Sequence, residues 1–131
     1  MTESSPQLFS EKDLKVFASE ICAGDEEIFL ELLEDCQSDL KQHLANLQEA
    51  RSAKDWKTFN RSAHTLKSTA RTFGSPSVAD LAFQLEKLSE DGVAEDDLDP
   101  LDTLTTELEK TSKQFSSILA DIAKNPSDYV S

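Results

Sequence analysis

Apolar residues recur three or four positions apart in five successive stretches of the chain, the spacing of one helix face. Leu14, Phe17, Ala18 and Ile21 mark a short first helix, opened by Ser10 with Asp13 three positions on and closed by Gly24. Asp25 opens a long second helix in which Phe29, Leu33, Cys36, Leu40, Leu44, Leu47 and Ala50 form one seam. A turn at Ala53-Lys54-Asp55 leads to Trp56, Phe59, Ala63, Leu66, Ala70 and Phe73, which step by alternating threes and fours. That regularity belongs to helices packed nearly parallel or antiparallel. Gly74 ends this third helix, and Ser75-Pro76 start a fourth through Val78, Leu81, Ala82, Leu85 and Leu88. The acidic stretch from Ser89 to Pro100 reads as a solvated loop. A fifth helix then runs through Leu101, Leu104, Leu108, Thr111, Phe115, Ile118 and Ile122 to a stop at Asn125-Pro126. The pattern predicts an all-α fold: an antiparallel up-down-up-down four-helix bundle with a short leading N-terminal helix. One domain over residues 10–125 is expected, between a polar N-terminal tail, 1–9, and a C-terminal tail, 126–131.

Composition narrows the function classes. A chain of 131 residues supports a single core. A net charge of −13 repels nucleic acid and anionic lipid, so neither is an expected partner. No apolar run is long enough to span a bilayer, and Met1-Thr2-Glu3-Ser4-Ser5 has neither a basic nor an apolar signal region, which points to the cytoplasm. Cys22 and Cys36 then read as reduced, inert packing thiols. Two histidines and no C-x-x-C-H argue against a metal or haem centre, so no cofactor is expected. Glycines only at 24, 74 and 92 cannot build a phosphate-cradling loop, which excludes an autonomous kinase or phosphatase.

Charge is unevenly placed. Six of the 13 basic residues lie between Arg51 and Arg71, opposed there only by Asp55. At about 100° per residue, His64 falls about 120° from the centre of the third helix's apolar face. Lys57, Asn60, Arg61, Lys67, Ser68 and Arg71 lie within about 60° of it. Ser62, Thr65, Thr69 and Thr72 make up the rest of the expected solvent face. A solvent-facing imidazole among cations is suited to receive a phosphoryl group. Neighbouring positive charge disfavours the protonated ring, which preserves its lone pair, and stabilises the transferred phosphoryl oxygens. Lys67 sits one turn from His64, within reach of a phosphate on the ring, and Ser68 is small enough to leave the approach open. Lys57 and Arg71 lie two turns away and are suited to steering a partner. His43 borders the seam of the second helix without such neighbours and is read as a rim residue.

The run His64-Thr65-Leu66-Lys67-Ser68-Thr69-Ala70 with Phe73-Gly74 resembles the H-x-L-K-G-x-[AS]-x-x-[FLI]-G signature of histidine-containing phosphotransfer (HPt) domains. Gly24-Asp25, Asp55-Trp56 and the Leu81-Ala82…Leu85-Glu86 run extend the likeness over about residues 10 to 125. The resemblance implies a monomeric phosphocarrier, not an enzyme, that relays phosphoryl groups between receiver-domain aspartates through a phosphohistidine in a two-component phosphorelay. The partners it implies are response-regulator receiver domains, which supply Mg²⁺, and a hybrid sensor histidine kinase. His64 carries over as phosphoacceptor and Lys67 as the cation beside it. Ser68 departs from the usual Gly. A Gln on the next helix bonds the histidine in some members; Gln84 and Glu86 both occupy that region here. Exposed apolar residues of the first two helices, with Leu8, Phe9 and Ile28 as candidates, are expected to dock the partner. The competing reading is a non-catalytic helical adaptor in which His64 never turns over.

Overall fold

The computed structural model describes residues 6–130. Five α-helices, α1 (Glu11–Glu20), α2 (Glu26–Ala53), α3 (Trp56–Phe73), α4 (Pro76–Leu88) and α5 (Leu98–Lys124), carry an all-α fold. The N-caps of the first four helices are those of the sequence. Ser10, Asp25, Asp55 and Ser75 each accept a hydrogen bond from the backbone N–H three residues on, relieving one orphan donor of the helix they open. Pro76 occupies the first turn of α4, where its missing N–H costs nothing.

Contacts run α2–α3, α3–α4, α4–α5 and back to α2, so the four long helices close a ring, with α1 laid against α3. Along α2 and α5 partners run in opposite numerical order: Gln48 meets Glu109, and Arg51 meets Asp102. Phe29, Phe59 and Phe115 are fully buried among Leu14, Leu33, Leu40, Leu47, Leu66, Leu85, Leu101, Leu108 and Leu119. Phe17 lies 4.5 Å from Phe73, ring centre to ring centre, which fastens α1 to the end of α3. Gly74 permits that docking. Its φ of +92° is left-handed, and a Cβ there would stand 2.8 Å from the Ser10 carbonyl oxygen. The Ser10 N–H in turn donates to the Gly74 carbonyl at 2.7 Å.

Several sequence expectations shift. Ile21 caps α1 instead of joining its buried face and is 65% exposed. Both Ala23 and Gly24 take positive φ in the turn that follows. Ser89 is buried as the C-cap of α4, and α5 begins at Leu98, so the solvated loop is shorter than expected. Pro100 thereby falls in the first turn of α5, a position without an intrahelical N–H bond to lose. The buried stripe of α5 passes through Ser112 and Leu119, where an even seam had placed Thr111 and Ile118. An undistorted helix drifts ~20° per heptad, and over 27 residues that drift moves the stripe by one position. Leu8 and Phe9 are half-buried against the core, with Phe9 6.4 Å from Phe115. They are therefore packing residues and not free docking candidates. Tyr129 stacks on Phe29 at 5.7 Å. Residues 1–5 and 131, the outer parts of the two expected tails, lie outside the described residues. Among the described residues no helix is long and apolar enough to cross a membrane, and no cluster of side chains forms a metal site.

Candidate functional site

The reversal at Gly74-Ser75 folds α4 back along α3, and these two helices make the most extensive contact in the molecule. Ala63, Ala70, Ala79 and Ala82 are all buried, and side chains that end at Cβ let helix backbones approach closely. This packing sets Asn60 level with Ser89, and His64 and Lys67 level with Glu86.

Glu86 is the pivot. Its Oε2 lies 2.7 Å from His64 Nδ1, and its Oε1 accepts from Lys67 Nζ at 2.6 Å. Partial burial pushes the Glu86 carboxyl up, but the hydrogen bonds from Lys67 and His64 outweigh it and hold the group below its ordinary range. Glu86 is therefore a carboxylate at neutral pH, with lone pairs only, so Nδ1 of His64 must be the N–H donor. The lone pair of the neutral ring then sits on Nε2, which has no hydrogen-bond partner among the described residues. The imidazole is 58% exposed, whereas Lys67 and Glu86 are 13% and 17% exposed. The Lys67 ammonium also lies 5.3 Å from the centre of the Phe83 ring. The result is an outward nucleophilic nitrogen, with a shielded ion pair beneath it.

The remaining predicted site residues divide. Asn60 does not face the ring: its amide donates to the Glu86 carbonyl oxygen at 2.7 Å and to Ser89 Oγ at 3.2 Å, and so fixes the turn of α4 that bears Glu86. Ser68 is exposed one turn beyond His64. Lys57, Arg61 and Arg71 are exposed and form no ion pair among the described residues. Arg71 points the site toward α1, where it lines clefts with Val16, Ile21 and Phe83. Gln84 is turned away and donates to Asp80 at 2.8 Å. Arg51, at the head of the basic run, pairs with Asp102 at 2.8 Å and takes no part in the site. Ser62, expected in solvent, is buried. His43 is half-buried, and its Nδ1 has no partner.

The picture of an imidazole held among unopposed cations is thus corrected. A helical wheel of α3 displays only that helix's charges, and the carboxylate that balances Lys67 and orients His64 belongs to α4. Phe83 also escaped the sequence reading. Its signal was its place in the Phe83…Glu86 step, one turn along the flank of α4 that meets His64.

The Hpt domain family matches residues 31–114, a span that contains α3, α4 and the whole triad His64, Lys67 and Glu86. The chain belongs to the Hpt domain family. Its fold agrees with the crystal structure of histidine-containing phosphotransfer protein B (HptB) from Pseudomonas aeruginosa PAO1, with a TM-score of 0.78 at 20% sequence identity. That likeness covers 92% of this chain and 97% of the other. No curated protein sequence matches the chain significantly. Family membership supports a histidine phosphotransfer role in two-component signalling. Among the described residues of this Hpt domain the exposed large apolar side chains are Val16 and Ile21 on α1 and its C-cap, Ile28 at the start of α2, and Phe83 on α4. Three of these four adjoin Lys67 or Arg71.

Proposed function

We propose that the protein is a cytoplasmic, monomeric phosphocarrier that passes phosphoryl groups between receiver-domain aspartates through Nε2 of His64. The observation that carries this reading is the asymmetry of the ring, with Nδ1–H held by Glu86 and Nε2 open to solvent. In the forward step the Nε2 lone pair attacks the phosphorus of a receiver aspartyl phosphate. The P–O bond to the aspartate breaks, and the carboxylate departs with its electron pair. The ring then carries phosphorus on Nε2 and a proton on Nδ1, and the positive charge this creates is stabilised by the Glu86 carboxylate. The second transfer reverses these bond changes toward another receiver aspartate. Neither direction needs a cofactor or a metal on this chain, and the receiver brings Mg²⁺.

Lys67 serves the phosphate once the group arrives. Its ammonium lies one helical turn from the ring and exchanges its bond to Glu86 for one to an oxygen of the phosphoryl group, a group that bears ~1.5–2 negative charges in all. Ser68 keeps the approach open, and its hydroxyl can donate to the same oxygens. Val16, Ile21 and Phe83, with Arg71 beside them and with Lys57 and Arg61 exposed farther along α3, form the surface a receiver covers, and a hybrid sensor kinase is the fitting upstream donor.

Incubation with a radiolabelled phospho-receiver and Mg²⁺ tests the reading. Label should appear on this chain as an acid-labile, alkali-stable phosphate, and His64→Gln should take up none. Acid-stable label, or equal uptake by the variant, would overturn the assignment in favour of an adaptor that only binds.

A further inference from the structure

Asn60, His64 and Lys67 reach from α3 across to α4, and among the described residues only Asn60 bonds to the α4 backbone. His64 and Lys67 end on the Glu86 carboxylate, the tip of a flexible side chain. Asn60 donates at 2.7 Å to the carbonyl oxygen of Glu86 itself. A carbonyl oxygen only accepts, so it is the amide nitrogen that faces α4, and its other N–H serves Ser89 Oγ at 3.2 Å. Glu86 lies in the last turn of α4, where carbonyls have no intrahelical N–H to receive. In the turn that follows, the Ser89 N–H donates to the Leu85 carbonyl and the Glu90 N–H to that of Lys87, so the Glu86 carbonyl is passed over. The buried Ser89 hydroxyl comes within 3.4 Å of it, but its single proton is held by the Leu85 carbonyl at 2.8 Å. Asn60 therefore supplies the donor that α4 lacks at this point.

That bond falls on the very residue whose side chain orients the ring. It fixes the height and rotation of α4 against α3 where the Glu86 side chain begins. The carboxylate stands 2.7 Å from His64 Nδ1 and 2.6 Å from Lys67 Nζ. Hydrogen bonds fail beyond about 3.5 Å, so a shift of about 1 Å in this turn is enough to break both. We propose that Asn60 is a positioning residue for the phosphoacceptor. One turn before His64, it holds the Glu86 backbone at the level from which the carboxylate keeps the proton on Nδ1 and leaves Nε2 free. The consequence for transfer rests on the phosphotransfer reading, whereas the consequence for the ring does not.

The tautomer of His64 tests this in the unphosphorylated full chain. Asn60→Leu keeps the shape of the side chain and loses its donors. The ratio of Nδ1–H to Nε2–H imidazole, read from the ¹⁵N shifts of the neutral ring, should fall roughly two- to fivefold, the upper end being complete loss of the Glu86 bond. In a Glu86→Ala background the same substitution should change the ratio no further, because Asn60 acts only through Glu86. Far-ultraviolet circular dichroism checks that the helices are kept. Where Asn60→Leu does not fold, Asn60→Ser takes its place, since its hydroxyl is too short to reach α4 and leaves room for water. An unchanged ratio in a folded variant would overturn the proposal. So would an additional fall in the double variant, which would show that Asn60 reaches the ring by another route. Transfer from a phospho-receiver should slow by no more than the same factor. Were the parent protein to take up no label at all, the phosphotransfer reading would fall, and the ratio would still decide on Asn60.

Discussion

Removing the Glu86 carboxylate should release the tautomer of His64, and the size of the effect follows from the geometry. In Glu86→Ala the 2.7 Å bond to Nδ1 is lost and nothing else among the described residues holds either ring nitrogen. A hydrogen bond to an ionised acceptor contributes ~1.5–3 kcal/mol when shielded. The imidazole is 58% exposed, so solvent screening reduces that to ~1 kcal/mol. One kcal/mol corresponds to a factor of roughly five in an equilibrium. The ratio of Nδ1–H to Nε2–H imidazole should therefore fall roughly fivefold, readable from the ¹⁵N shifts of the neutral ring. Phosphotransfer from a receiver needs the Nε2 lone pair and should slow by no more than the same factor. The freed Lys67 acts in the opposite sense on the phosphate, so the tautomer ratio is the cleaner readout. Glu86→Gln separates the two effects, because its amide oxygen still accepts from Nδ1 while the negative charge that held Lys67 is gone. The tautomer should survive in Glu86→Gln and be lost in Glu86→Ala. An unchanged ratio in Glu86→Ala would show that the carboxylate does not orient the ring.

Lys67→Ala should leave the fold intact and slow transfer roughly tenfold, the loss of one charge-assisted hydrogen bond to the phosphate, and unchanged single-turnover kinetics would remove Lys67 from the site. Gly74→Ala should cost ~2–4 kcal/mol in urea unfolding, combining left-handed strain with the 2.8 Å approach to Ser10. Gly92→Ala is its control, because Gly92 has the same φ but a Cβ added there meets nothing within 4 Å beyond its chain neighbours, and should lose only ~1–2 kcal/mol; equal losses would deny the close contact its role. Acid stability should also report on Glu86. Its folded pKa is depressed, so its contribution is complete above the ordinary value of 4.5 and disappears as pH falls through the lower folded value. Glu86→Gln should flatten the stability profile in that window, and a profile parallel to the parent's would refute the depressed pKa.

The helices, most of their caps and the exposure of His64 were legible in the chain because each depends on nearest neighbours. Helical spacing gathers Phe59, Ala63, Leu66 and Ala70 on one face, and Ser10, Asp25, Asp55 and Ser75 cap through bonds only three residues long. The basic flank of α3 was legible for the same reason. What pairs with that flank was not, since Glu86 lies 22 residues from His64 and meets it only when α4 folds back. Gln84 had an equal claim by position, and the rotation of α4 about its axis chose Glu86. The same holds for Arg51, drawn off to Asp102 across 51 residues, and for Leu8 and Phe9, expected to dock a partner and instead packed against the core. Periodicity is written in local geometry, so the sequence by itself determined where the helices lie and, apart from the later turns of α5, which face each one buries. The partner of each polar side chain depends on the relative rotation and height of two packed helices, and only the tertiary structure decided those.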